Sequence, residues 1–189
     1  MTKPFIRFDE IEDILSSLDL LALVVTRLDE EPSYWKWAII ATHSALQGAM
    51  VCALQDTVGV AVLTDGSAHK TLNWLETGEG APPKEKLAHF DTLLERCRKT
   101  ECMDDEPLKI SETDVQDIIS LHDHFRNNFS HFVPKGWSIE RACLPRILLA
   151  ALYATELLLL HRRISYKLTG NKQRRICARM QVIREHLKS

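Results

Sequence analysis

At 189 residues, with 45% hydrophobic and 26% charged side chains and a net charge of −2, the chain is long enough to bury one sizeable core and reads as a single domain over 1–189. Five cysteines, Cys52, Cys97, Cys102, Cys143 and Cys177, form no C-x-x-C pair; they argue against a disulfide framework or a zinc knuckle and fit a reducing cytoplasm. The start, Met1-Thr2-Lys3-Pro4-Phe5, runs straight into Asp9, Glu10, Glu12 and Asp13 without the basic-then-apolar layout of a signal peptide. The longest apolar run, Ile147 to Leu160, is interrupted by Glu156 and falls short of the roughly 20 residues that span a bilayer, so no membrane is expected.

Apolar spacing predicts helices and little else. Phe8 to Leu28 repeats Ile11, Ile14, Leu15, Leu18, Leu21, Ala22 and Val25 at helical steps. Pro32 opens a second helix to Leu54, in which small residues admit a close neighbour and large ones fill the gaps. Val58 to Thr64 is partly β-branched, but Gly59, Asp65 and Gly66 make it a bent connection. A short helix from about Ser67 to Trp74, the loop Gly78-Glu79-Gly80-Ala81-Pro82-Pro83 and a helix from Lys84 to about Arg98 follow. Lys99 to Leu108 is a polar loop. Ser111 or Thr113 then caps a helix to Phe132. After Pro134-Lys135-Gly136, Ser138 is placed to cap a long helix from Ile139 to about Lys167, which Pro145 must kink or restart. Gly170-Asn171 sets off a basic terminal helix over about 171–189. The fold class is all-α: an antiparallel helical bundle with short extra helices and a basic C-terminal helix.

Charge is uneven along this framework. Over Met1–Glu31 eight acids oppose three cations, and from His161 to the end nine cations oppose one acid. The tail suits nucleic-acid phosphate; equally, it suits a solvated face or pairing with the acidic first helix.

The motif of chemical interest closes the helix that begins near Ser111. Val115, Ile118, Ile119, His122, Phe125 and Phe129 lie on its apolar face, and Arg126-Asn127-Asn128-Phe129-Ser130-His131 ends it. Asn127 and His131 share a face. Arg126 and His131 are five apart, about 140° around an ideal helix, so they converge only if the last turn tightens or if two copies of the chain each supply one of them.

An arginine followed by asparagine, with a histidine five residues after the arginine near a helix end in a small all-helical chain, resembles the HEPN superfamily (higher eukaryotes and prokaryotes nucleotide-binding). The likeness covers most of the chain in architecture and a few residues in sequence. It implies a bundle of four or five helices, usually a homodimer. Many members are metal-independent endoribonucleases of toxin–antitoxin, phage-defence or RNA-processing systems. RNA is then the substrate, a cognate antitoxin a partner, and neither cofactor nor metal is needed.

The residue chemistry is compatible with that activity. RNA carries its own nucleophile, the 2′-hydroxyl, so cleavage without metal needs proton transfer and positive charge on the phosphorane, leaving a 2′,3′-cyclic phosphate. His131 suits the proton and Arg126, with its bidentate guanidinium, the phosphate. Asn127 could orient the imidazole or bond the substrate, Ser130 could support it, and Lys135 and Trp137 stand ready to contact substrate. Each residue also has a plainer reading. An arginine near a helix end caps it, a histidine among aromatics packs there, and Trp137 anchors its loop. His43 reads as a satisfied core histidine. His122 and His124 flank Asp123, but residues two apart point to opposite sides of a helix, so no metal site is expected. The alternative function is a non-catalytic dimeric helical module that binds nucleotide, RNA or a protein partner.

Overall fold

The computed structural model describes residues 5–6, 8–131 and 136–188. Helix α1 (Glu10–Val25) starts where the Asp9 carboxylate accepts the Glu12 amide at 2.9 Å. Glu10, Glu12 and Asp13 add negative charge to its first turn, where unpaired amides favour it. Its apolar stripe is buried as the spacing predicts. Most of that stripe faces α2 (Tyr34–Leu54), whose Ala38, Ala41, Ala45 and Ala49 are buried and whose Gly48 lets Ile14 in. Helix α2 also packs against later helices on its other sides, so it is apolar nearly all round rather than on one stripe.

Two helical stretches, Tyr34–Leu54 and Arg141–Leu160, are long and apolar enough to cross a membrane, the second because it begins six residues before the Ile147–Leu160 run. However, 67% and 56% of an apolar 18-residue window in each, respectively, are buried within the bundle, as in core helices of a packed bundle.

After the turn at 55–64, helix α3 (Asp65–Thr77) ends at Gly78, whose φ of 65° closes it in the left-handed region. The helix expected from Lys84 starts later, as α4 (Phe90–Cys97). Residues 86–88 instead pair with 62–64: Thr64 donates to the Lys86 carbonyl and Ala88 to that of Val62, both at 2.9 Å. The Lys86 amide goes to Ser67 Oγ at 3.0 Å. With those groups satisfied across the chain, the segment has no need of helical bonds. Only an isolated bridge, Leu63 to Leu87, results, and no strand forms among the described residues.

Helix α5 (Glu112–Ser120) opens on a reciprocal cap between Ser111 and Asp114. It continues without a break into a wider π-helical turn, Leu121–Arg126, and then a short α6 (Asn127–Ser130). The long helix expected from Ile139 begins at Leu144: α7 (Leu144–Leu160) has Pro145 in its first turn, where a missing amide costs nothing, and Ser138 does not cap it. His161 breaks α7 from α8 (Arg162–Ser165). Its Nδ1 accepts the Arg163 amide at 3.3 Å, and Nε2 lies 3.2 Å from the Met103 carbonyl. Helix α9 (Gly170–Lys188) then packs along α1 through Ile176, Met180 and Ile183.

The charge asymmetry of the chain has a partner inside the fold. Lys172 reaches Glu12 at 2.8 Å, Arg179 reaches Asp19 at 2.7 Å, and Arg175 also bonds Asp19. Arg184 pairs with Glu156. Pairing with the acidic first helix, one of the tail readings weighed from sequence, is seen for Lys172, Arg175 and Arg179.

Candidate functional site

The π-helical turn, Leu121–Arg126, takes in the motif's arginine at its end. A π turn takes in an extra residue, so the helix loosens before Arg126 where convergence of the pair within one chain needed it to tighten. Arg126 is half-buried, and its Nη1 donates to Asn127 Oδ1 at 3.0 Å. It lines a cleft of about 670 Å³ together with Phe8, Glu10, Asp13, His43 and Gln47.

His131 lies elsewhere. The helix stops at Ser130, and His131 leaves it with φ −116° and ψ 58°, its amide bonded to the Asn127 carbonyl at 2.8 Å and its ring exposed. Among the described residues no hydrogen bond or ion pair joins Arg126 to His131. Asn127 therefore serves the guanidinium with its side chain and His131 with its backbone. Ser130 occupies the last helical position, and no hydrogen bond joins its hydroxyl to Arg126. Lys135 lies outside the described residues. Trp137 stacks edge-on to Phe129 at 5.0 Å and to His124 at 5.8 Å, so the plainer anchoring role is the one its contacts show.

A second constellation adjoins this one, made by side chains far apart in sequence. His43 on α2 is 2% exposed, and its Nε2 lies 2.8 Å from His122 Nδ1 in the π turn. Phe90, the first residue of α4, stacks on both rings, 4.6 Å from His43 and 4.4 Å from His122. Burial pushes the His43 imidazole down to about 3, and the nearby charges of His122 and Arg126 push the same way. Burial also lowers His122, against the pull of Asp123 and Asp91. At neutral pH the pair is uncharged and shares a proton across its hydrogen bond.

The outer nitrogen of His122 faces carboxylates. His122 Nε2 is 3.9 Å from Asp123 Oδ1, and donor atoms of Asp91, His122 and Asp123 all lie within 4.8 Å of one another. Sequence reasoning singled out His122 and Asp123 but not Asp91 or Phe90. Their loop-separated position on α4, over 30 residues earlier, carries no spacing pattern that could have revealed them.

The helices and their packing place the chain in the all-α class. No family model matches the chain, nor does any curated protein or solved structure.

Proposed function

We propose that the chain is a metal-independent endoribonuclease of the HEPN type, in which Arg126 binds the scissile phosphate and His131 transfers a proton as the 2′-hydroxyl attacks. The observation that carries this reading is the hydrogen bond that Arg126 donates to Asn127 Oδ1, which holds the guanidinium at the wall of an open cleft while His131 stands exposed at the end of the same helix. A preset guanidinium loses little freedom on binding a phosphate. Glu10 and Asp13 repel a phosphate deep in the cleft, so the substrate sits at the rim. Because Arg126 and His131 do not meet within one chain, a two-fold dimer in which each copy supplies one of them completes the site. Action as a toxin or defence ribonuclease, held in check by an antitoxin protein, belongs to the same reading.

The carboxylates of the cleft favour one alternative. A pocket with Glu10 and Asp13 beside a single arginine also suits a basic side chain of a protein partner, as in a non-catalytic dimeric module. Cleavage of a labelled RNA in excess chelator separates the two. Wild type is expected to cut and to leave 2′,3′-cyclic ends. His131→Ala should lose about 10²- to 10⁴-fold in rate, and Arg126→Lys should not restore it because the bidentate geometry is gone. Equal activity in all three proteins, dependence on added metal, or no cleavage by wild type would leave the binding module.

A further inference from the structure

Beyond the motif, the described residues hold a set of metal-ligating groups that the reading above does not use. Asp91 comes from the first turn of α4, and His122 and Asp123 from the π turn. Two surface carboxylates by themselves would be an ordinary solvated pair, since acids are common in a helix's first turn. The imidazole between them is different, because it is held from behind. His43, nearly fully buried, bonds His122 Nδ1 at 2.8 Å, and Phe90 lies flat on the ring with 5° between planes. When His122 donates through Nδ1, its lone pair is on Nε2, the nitrogen 3.9 Å from Asp123 Oδ1, with a carboxylate oxygen of Asp91 in the same close set. Metal-binding histidines are typically oriented in this way, by a partner on the nitrogen that does not bind metal.

We propose that Asp91 and Asp123, through a carboxylate oxygen each, and His122, through Nε2, bind a divalent first-row transition ion, with Zn²⁺ as the best match to one imidazole nitrogen and two carboxylate oxygens. The donor set belongs to a three-ligand zinc site that leaves a position for water. Donor atoms around a tetrahedral Zn²⁺ lie about 3.4 Å apart, given metal–ligand bonds of roughly 2.0–2.2 Å. The 3.9 Å separation of His122 and Asp123 and the 4.8 Å limit on the set therefore close by rotation of exposed carboxylates, with the imidazole staying in place. Bound there, the ion ties α4 to the turn that carries Arg126. The site stands independently of the ribonuclease reading.

The test reads metal and not RNA cleavage. Full-length protein, stripped with chelator and dialysed, is titrated with Zn²⁺ by calorimetry and with Co²⁺ by visible absorption. About one equivalent should bind, with a d–d spectrum that lacks a thiolate charge-transfer band. Asp91→Asn, Asp123→Asn and His122→Gln should each lose at least tenfold in affinity. His43→Gln, which alters only the supporting partner, should lose about tenfold. Zn²⁺ should raise the thermal midpoint of wild type and not of Asp91→Asn. Both carboxylates are at the surface, so circular dichroism distinguishes lost binding from lost fold. No binding by wild type, or unchanged binding in the Asp91 and Asp123 variants, overturns the proposal. Cleavage that persists in chelator would leave the metal site standing, and metal binding without cleavage would leave it standing while removing the ribonuclease.

Discussion

Replacing Gly48 with alanine sets two effects of opposite sign against each other. In a free helix the change gains about 0.8–1.0 kcal/mol, because glycine gives up more backbone freedom. In this bundle the new methyl would stand 2.8 Å from Cγ1 of Ile14 and 3.6 Å from its Cδ1, where carbon atoms prefer about 3.5–4.0 Å. Ile14 is 1% exposed, and Cγ1 is the stem of its side chain rather than a free end, so α1 itself must retreat. Overpacking of this kind costs about 1–3 kcal/mol. Taking about 2 and subtracting about 1 leaves a net loss of about 1 kcal/mol, or about 2–4 °C in the thermal midpoint of a chain this long. A double-mutant cycle followed by circular dichroism tests the reasoning. Ile14→Ala alone should cost about 2–5 kcal/mol. In that background Gly48→Ala should stabilise, because the obstruction is gone and only the helix preference remains. A higher midpoint for Gly48→Ala in the wild-type background, or the same loss in both backgrounds, would refute the account of how α1 and α2 meet.

Asp117 on α5 has only 8% of its side chain exposed and is paired with Arg146 of α7 at 2.5 Å. Arg146→Leu should therefore cost about 3 kcal/mol in urea denaturation by leaving a buried carboxylate alone, and adding Asp117→Leu should recover much of it. The Arg175 guanidinium beside Asp19, helped by Arg179, holds the Asp19 carboxyl below its ordinary value of 3.8. Its contribution is complete above that value and fades as pH falls through the lowered one. Asp19→Asn should thus lose less than about 1 kcal/mol at neutral pH, since the arginines are partly solvated, and the gap from wild type should shrink in acid and in high salt. A difference that persists at low pH would assign Asp19 a role other than this pairing.

Periodicity is a local property, and what it decides can be read without tertiary structure. The 3.6-residue step marks α1 and its buried stripe, the small residues of α2 announce close packing, and the polar pair Ser111 and Thr113 marks where α5 begins, with Ser111 taking the cap. The all-α class follows from such local rules. What they miss depends on partners distant in sequence. Residues 84–89 look helical until 62–64 takes their hydrogen bonds, and Pro145 allows a kink or a restart until packing selects the restart. The π turn that ends at Arg126 is invisible to any count of apolar positions, yet it places His122 against His43, 79 residues away. The spacing rule that set aside a metal at His122 and His124 was sound for one helix; it could not weigh Asp91, which only the packing of α4 brings beside His122. The motif itself lay open in the sequence as residue types. Which of its members share a cleft was decided by where the helix ends, one residue before His131.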